Sequence, residues 1–445
     1  MVPIAIMAER ILRLNRRELM TGLGAAALGP VLPGIGAAEV RPSLMLQAKA
    51  GAIGLRPGAA DTPIWTLQGP TPGHGFRFKR GGELEVRLSN ELPVPVALNW
   101  HGIDGAPAAE PLLARPAVAP GVRESLVIPL RHAGTFLCDL RLLGDGRARP
   151  SPAWAFVVEE TEAVITDRDE VLLIEEWRLR PDGTAIAPGI DPRDTVAVYT
   201  INGRASLDIS ARIHERLRLR FINGCQRNAI AMKIEGNEVR VMALDGQPSE
   251  PFPARNGALV LAPGGRADAF IDASGPPGSA SPILLHDGKE ARPIGRLMIS
   301  GEPPARDKPL PVAPPLPSNG LPAQLDLRNA QRFDLALGGP ADWAAPARFA
   351  DSAAPAFRAK PGRAVVLALT NRAETTVAFH LHGHHFRLLD RLDDGWKPFW
   401  LDTLAIEPGQ TQRIAFSAQF PGRWLIEAVG TDWAAPRLVR WYSVG

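Results

Sequence analysis

Short runs in which apolar and polar residues alternate recur along this chain, and long helical periods are scarce beyond its first forty residues. Glu83-Leu84-Glu85-Val86-Arg87-Leu88 is the plainest: successive side chains of a strand point to opposite faces, so Leu84, Val86 and Leu88 share one face of a half-buried antiparallel strand. With Asn99-Trp100-His101-Gly102, the run from Gly134 to Arg141, and Ala155-Phe156-Val157-Val158, the segment from Leu44 to about Glu160 reads as a β-sandwich. Leu217-Arg218-Leu219-Arg220-Phe221 repeats the alternation in a second unit, punctuated by the turn signals Asn223-Gly224, Asp245-Gly246 and Pro263-Gly264-Gly265. Eight prolines between 302 and 323 rule out a strand in a ladder and predict an extended, semi-rigid linker before a third unit. The expected architecture is all-β, with three Greek-key β-sandwich domains in tandem: 39–162, 163–301 and, past the linker 302–323, 324–445.

Composition supports this picture, since 43 Gly and 44 Pro supply many turns, and 445 residues suit about three domains at ~150 residues each. The first 38 residues read as an address. Arg10, Arg13, Arg16 and Arg17 precede the weakly apolar run Leu19 to Leu28 and the small residues Gly36-Ala37-Ala38, and Asn15-Arg16-Arg17-Glu18-Leu19-Met20 fits a twin-arginine signal peptide. That signal predicts a periplasmic protein. Removing 1–38 takes four Arg and two Glu away and leaves 46 basic against 45 acidic residues, so the sequence pI of about 9.1 overstates the charge of the mature chain. A near-neutral surface argues against nucleic acid and against a polybasic membrane anchor, and no stretch past residue 40 is long and apolar enough for a transmembrane segment. Cys138 and Cys225, the two cysteines, read as buried small apolar residues rather than as a bridge.

The chemistry is concentrated in Phe379-His380-Leu381-His382-Gly383-His384-His385-Phe386, which holds four of the nine histidines. Flanked by Thr375-Thr376-Val377-Ala378 and Leu388-Leu389, it reads as a strand with His380, His382 and His384 on one face and Leu381 and His385 on the other. An H-x-H pair on one face offers two imidazoles to a metal centre, and the stretch is either such a site or the remains of one. His384 and His385 are expected to make local hydrogen bonds, and the isolated His214 and His286 carry no site.

Together these words resemble a multicopper oxidase of the bacterial type with three cupredoxin domains. Asn99-Trp100-His101-Gly102 stands for the family's first histidine motif, Gly134 to Arg141 for its second, and His380-Leu381-His382-Gly383-His384 for its third. Ile201-Asn202-Gly203, Gly265-Arg266-Ala267-Asp268, Asp402-Thr403, Glu407-Pro408-Gly409 and Phe420-Pro421-Gly422-Arg423-Trp424 match in order. The resemblance implies three cupredoxin-like domains and copper held by ten histidines and one cysteine in four clusters. At those positions this chain has Asn99 and His101; Asp139 and Arg141; Val377, His380 and His382; and Glu427, Ala428, Val429 and Trp433, with Leu438 at the axial place. Only His101, His380 and His382 keep an imidazole. Val377, Ala428 and Trp433 have no lone pair for a blue copper, so laccase-like oxidation is not expected.

Two expectations follow for the vacated positions. One is an Arg141–Glu427 ion pair, with Asp139 beside it, filling a copper place; the other is a single copper, zinc or iron held by His101, His380 and His382 with Asp139 or Glu427. The leading functional expectation is an exported non-oxidase scaffold without a cofactor, resembling the copper-free superfamily members that associate with bacterial cell division and implying a protein partner in the cell envelope. The alternative is a metal-dependent oxidoreductase working at the three remaining histidines.

Overall fold

The alternating runs do become strands in the structure, a computed structural model that describes residues 41–68, 75–338, 342–390 and 395–445. The leader 1–38 lies outside the described residues. In the strand Glu83–Asn90, Leu84, Val86 and Leu88 are buried and Glu83 and Arg87 are exposed, as an alternating strand over one core requires. It pairs with Ser43–Ile53 and Arg123–Pro129, and Thr62–Gln68 completes that sheet. The facing sheet runs Phe76–Lys79, Trp154–Glu159, Gly134–Asp139, Asn99–His101, and Trp100, Phe136 and Phe156 fill the space between the two.

Two more sandwiches follow, and the fold is three cupredoxin-type domains built almost wholly from strands. The second packs a sheet centred on Arg168–Leu179, Arg216–Asn223 and Arg266–Asp272 against one centred on Ala280–His286 and Ala291–Ile299. In the third, the sheet Arg358–Ala359, Arg437–Val444, Gly422–Gly430, Val377–Leu381, Thr403–Ile406 places the histidine strand between two partners.

The domains meet on residues whose pattern alone suggested solvent. Every residue of Arg216–Asn223 is buried: Leu217, Leu219 and Phe221 enter the core, while Arg218 and Arg220 turn toward the first domain. Arg218 reaches Glu160 of the first domain and Asp268 of its own, and Arg220 the Thr135 hydroxyl of the first domain along with Asp169 and Asp268 of its own. Apolar seams flank these pairs. Leu137, Ala155 and Val157 meet Val171, Leu173 and Ile222 of the second domain; Ala97, Leu142 and Leu143 meet Leu425, Val439 and Trp441 of the third. Gly134 sits where a Cβ would lie 2.2 Å from the Gly246 carbonyl oxygen, so only glycine permits that approach of the first two domains.

The proline-rich segment carries no strand, yet it is fastened down rather than free as a spacer. Ala313 and Leu316 pack on Met242, Ala243 and Phe270 of the second domain. Asn319 accepts from Ala133 N and donates to Ala133 O in the first domain, and also donates to Gln247 Oε1 in the second.

Candidate functional site

Four short strands bring the candidate residues together where the first and third domains face each other. Asn99–His101 pairs with Gly134–Asp139 so that Asn99 lies opposite Asp139. Val377–Leu381 pairs with Gly422–Gly430 so that His380 lies opposite Glu427. The histidine strand is shorter than the sequence pattern predicts: it ends at Leu381 and the chain bends at Gly383, whose φ is +75° and whose missing Cβ would overlap the Trp424 ring at 2.2 Å. His380, His382 and His384 therefore do not share one face.

Each of these imidazoles has a different environment. His101 and His380 pack edge to face with ring centroids 5.3 Å apart, and His382 stands 6.4 Å from His101. His101 Nε2 lies 3.2 Å from Asp139 Oδ2 and 3.3 Å from Asn99 Nδ2. His380 Nδ1 lies 2.8 Å from the Thr403 hydroxyl, and burial, followed by the neighbouring His101, pushes its pKa down to about 3. His382 is the reverse. Its two ring nitrogens each meet a carboxylate, Glu110 Oε1 at 2.8 Å and Glu427 Oε1 at 2.9 Å; burial opposes the charge, but these two acids push its pKa up to about 10. Facing two carboxylates, both ring nitrogens act as donors, as in an imidazolium, and no nitrogen is left to ligate a metal.

Glu427 is the hub of the cluster. It is fully buried, accepts from Asn99 Nδ2 at 2.9 Å, and pairs with Arg437 Nη1 as well as His382. Burial works to raise its pKa, but Arg437 and His382 hold it well below the usual carboxylate range. The expected Arg141–Glu427 pair is not formed. The Arg141 guanidinium is held by Glu175 of the second domain and by the carbonyls of Ser151 (2.8 Å) and Gly224 (2.6 Å); only the Arg141 backbone amide reaches Asp139, at 2.8 Å. Arg437, four residues past Trp433, supplies the cation instead. Between these groups is a cavity of about 20 Å³ lined by His101, Asp139, Cys225, Gly264, His380 and Arg437, room for one water.

The remaining candidate positions are apolar and, the half-buried Leu438 apart, buried. Val377, Ala428 and Leu438 belong to the core of the third domain, Val429 faces the other way and lines the cavity beside His101 and His380, and the Trp433 indole donates to the Ala187 carbonyl at 3.2 Å. His384 turns inward, where Nε2 accepts from Phe420 N at 3.2 Å and Nδ1 faces the Tyr442 hydroxyl at 2.7 Å; burial lowers its pKa to about 4. Cys138 and Cys225 are buried and unbridged.

Models of the multicopper oxidase family match residues 53–137, 171–279 and 324–440, one in each sandwich. The chain belongs to the multicopper oxidase superfamily. It is 24% identical over 420 residues to multicopper oxidase MmcO of Mycobacterium tuberculosis, a match covering 80% of this chain and 78% of that protein. Among solved structures it is similar to a multi-copper oxidase from Pseudomonas thermotolerans (TM-score 0.77, 26% identity, 91% of this chain and 100% of the other). Lac15 from a marine microbial metagenome is similar to nearly the same degree (TM-score 0.73, 26% identity, 91% and 100%).

Superfamily membership makes copper the group to test against these residues. Val377, Ala428 and Trp433, which the sequence resemblance assigns to the blue centre, offer no sulfur or imidazole donor. Around the 20 Å³ cavity, His101 and His380 are imidazoles with accessible nitrogen chemistry, but His382 is closed on both sides by carboxylates and the Arg437 guanidinium occupies the wall. A cation fixed in that wall repels a metal ion, and the donor set does not fit a copper cluster. Among the described residues, the group of three potential ligands whose donor atoms all lie within 4.8 Å of one another is a different one: Asp104, His132 and His385.

Sequence reasoning missed Glu110, Glu175 and Arg437. Glu110 left one signal, as the lone carboxylate in the otherwise apolar stretch 105–113. Nothing in sequence separates the buried Arg437 from the less buried Arg440 on the same strand.

Proposed function

We propose that this chain is an exported, non-oxidase member of the superfamily with degenerate copper sites, acting as a structural or interaction scaffold that meets a protein partner in the bacterial cell envelope. The observation that carries this reading is the Glu427 hub: an arginine and an imidazolium satisfy a buried carboxylate where superfamily members place copper ligands. Such a cluster is electrically complete without a metal. The twin-arginine pattern at Arg16-Arg17 supports export, and the absence of a thiolate at Ala428 argues against electron transfer through a blue centre.

The test is metal and activity analysis of folded protein from copper-supplemented cells. The expected result is no blue-copper absorbance, no oxidation of phenolic substrates, and no copper retained near His101, His380 and His382. A stoichiometric metal that His382→Ala removes would overturn the scaffold reading in favour of an oxidoreductase at those histidines.

A further inference from the structure

We propose that Asp104, His132 and His385 form a binding site for one first-row divalent cation of the zinc type, separate from the inherited copper positions, and that the bound ion clasps the first domain to the third. Backbone pairing creates the group. Gly105 N donates to Gly383 O at 3.2 Å, and Asp104 bridges to Gly383, which seats Asp104 against the bend that presents His385. His132 comes from the turn between Arg123–Pro129 and Gly134–Asp139.

The donor atoms converge. Asp104 Oδ2 lies 2.8 Å from His385 Nδ1 and 3.3 Å from His132 Nδ1. A tetrahedral ion with bonds of 2.0–2.1 Å has ligand–ligand edges of about 3.3 Å, so small shifts would bring these atoms onto one ion. One outer contact is that of a ligating imidazole: His385 Nε2 donates to the Asp245 carbonyl at 2.9 Å, which turns Nδ1 to the group, where it shares its proton with Asp104 Oδ2 at 2.8 Å; an entering ion displaces that proton, so binding releases it to solvent. Gln247 Nε2 donates to His132 Nδ1 at 3.1 Å, so the His132 lone pair also points inward; that amide must swing aside when an ion enters. Charge favours a cation as well. The Asp104 and Asp402 carboxylates both face His385; of the nearby guanidinium groups, Arg266 is paired to Asp402 and Asp245, and Arg131 lines the cavity beside Asp104 and His132. His132 is partly exposed and gives an entry path, while Asp104 and His385 are buried. Two imidazoles and a carboxylate with a fourth position open are a zinc-type donor set.

The mature protein, stripped with chelator, is titrated with Zn²⁺ by calorimetry and with Co²⁺ by visible absorption. One equivalent is expected to bind, with Co²⁺ showing the intense bands of a low-coordinate N/O site and Zn²⁺ raising Tm. His132→Gln and His385→Gln are expected to weaken binding by about tenfold or more, and His382→Gln to leave it intact. No binding, or binding that survives both substitutions, overturns the proposal. If His385→Gln does not fold by circular dichroism, His132→Gln at the rim decides. The outcomes are independent of the scaffold reading, because that reading fails on a metal removed at His382 and this one on a metal indifferent to His132.

Discussion

A single buried carboxylate organises the polar cluster between the first and third domains. Glu427 has no exposed surface, and Arg437, His382 and Asn99 all donate to it. Removing one partner of a buried pair leaves the other charged and unsolvated, so Arg437→Met is expected to cost ~3–5 kcal/mol in denaturant unfolding, and Glu427→Gln with Arg437→Met to recover a large part of it. A double-mutant cycle separates the two pairings considered for Arg141: strong coupling is expected with Glu175 and little with Glu427. The sequence made His101 and His380 legible as neighbours, because motif order brings their strands together. It could not assign Arg141 a partner, since Glu175 lies in another domain and only the folded chain decides which of several acids an arginine meets.

At the scale of single elements, alternation located strands well and misjudged what their faces meet. Glu83–Asn90 behaves as its pattern says, with Arg87 in solvent. Arg216–Asn223 has the same pattern, yet its arginines are buried, Arg218 against Glu160 and Arg220 against the Thr135 hydroxyl of the first domain, and nothing in a local period tells water from a neighbouring domain. The histidine strand failed differently: the glycine within it ends the strand, and His384 and His385 leave in opposite directions. Gly383→Ala is therefore expected to be severely destabilising. The positive φ alone costs ~1–3 kcal/mol in a non-glycine residue, and the new methyl would overlap Trp424; a thermal melt far below wild type checks it. The same substitution would disturb the bridge that seats Asp104 beside His385.

For the whole molecule, the buried histidines set opposing pH limits on stability. His382 and His385 have pKa values raised to about 10 and about 9 from 6.5, so their contribution is complete below pH 6.5 and is lost as pH rises through 9 to 10. His380 and His384, lowered to about 3 and about 4, are protonated first in the unfolded chain, which removes stability as pH falls below 6.5. Asp245, raised to about 6 by burial and Asp402, works the other way between 3.8 and 6 and only blunts the acid side. Tm against pH is expected to peak near 6.5, with His382→Gln flattening the alkaline limb. Export is tested on the full chain: Arg16→Lys with Arg17→Lys is expected to hold the protein in the cytoplasm, and a periplasmic fraction unchanged by that pair would contradict twin-arginine transport. The fastened proline segment has one more consequence. Because Asn319 is bonded to both preceding domains and Leu316 is packed into the second, while Val312 is 73% exposed, a single protease nick near Val312 is expected to leave both halves associated on a native gel. Two separately made fragments divided there are then expected to reassemble into one particle.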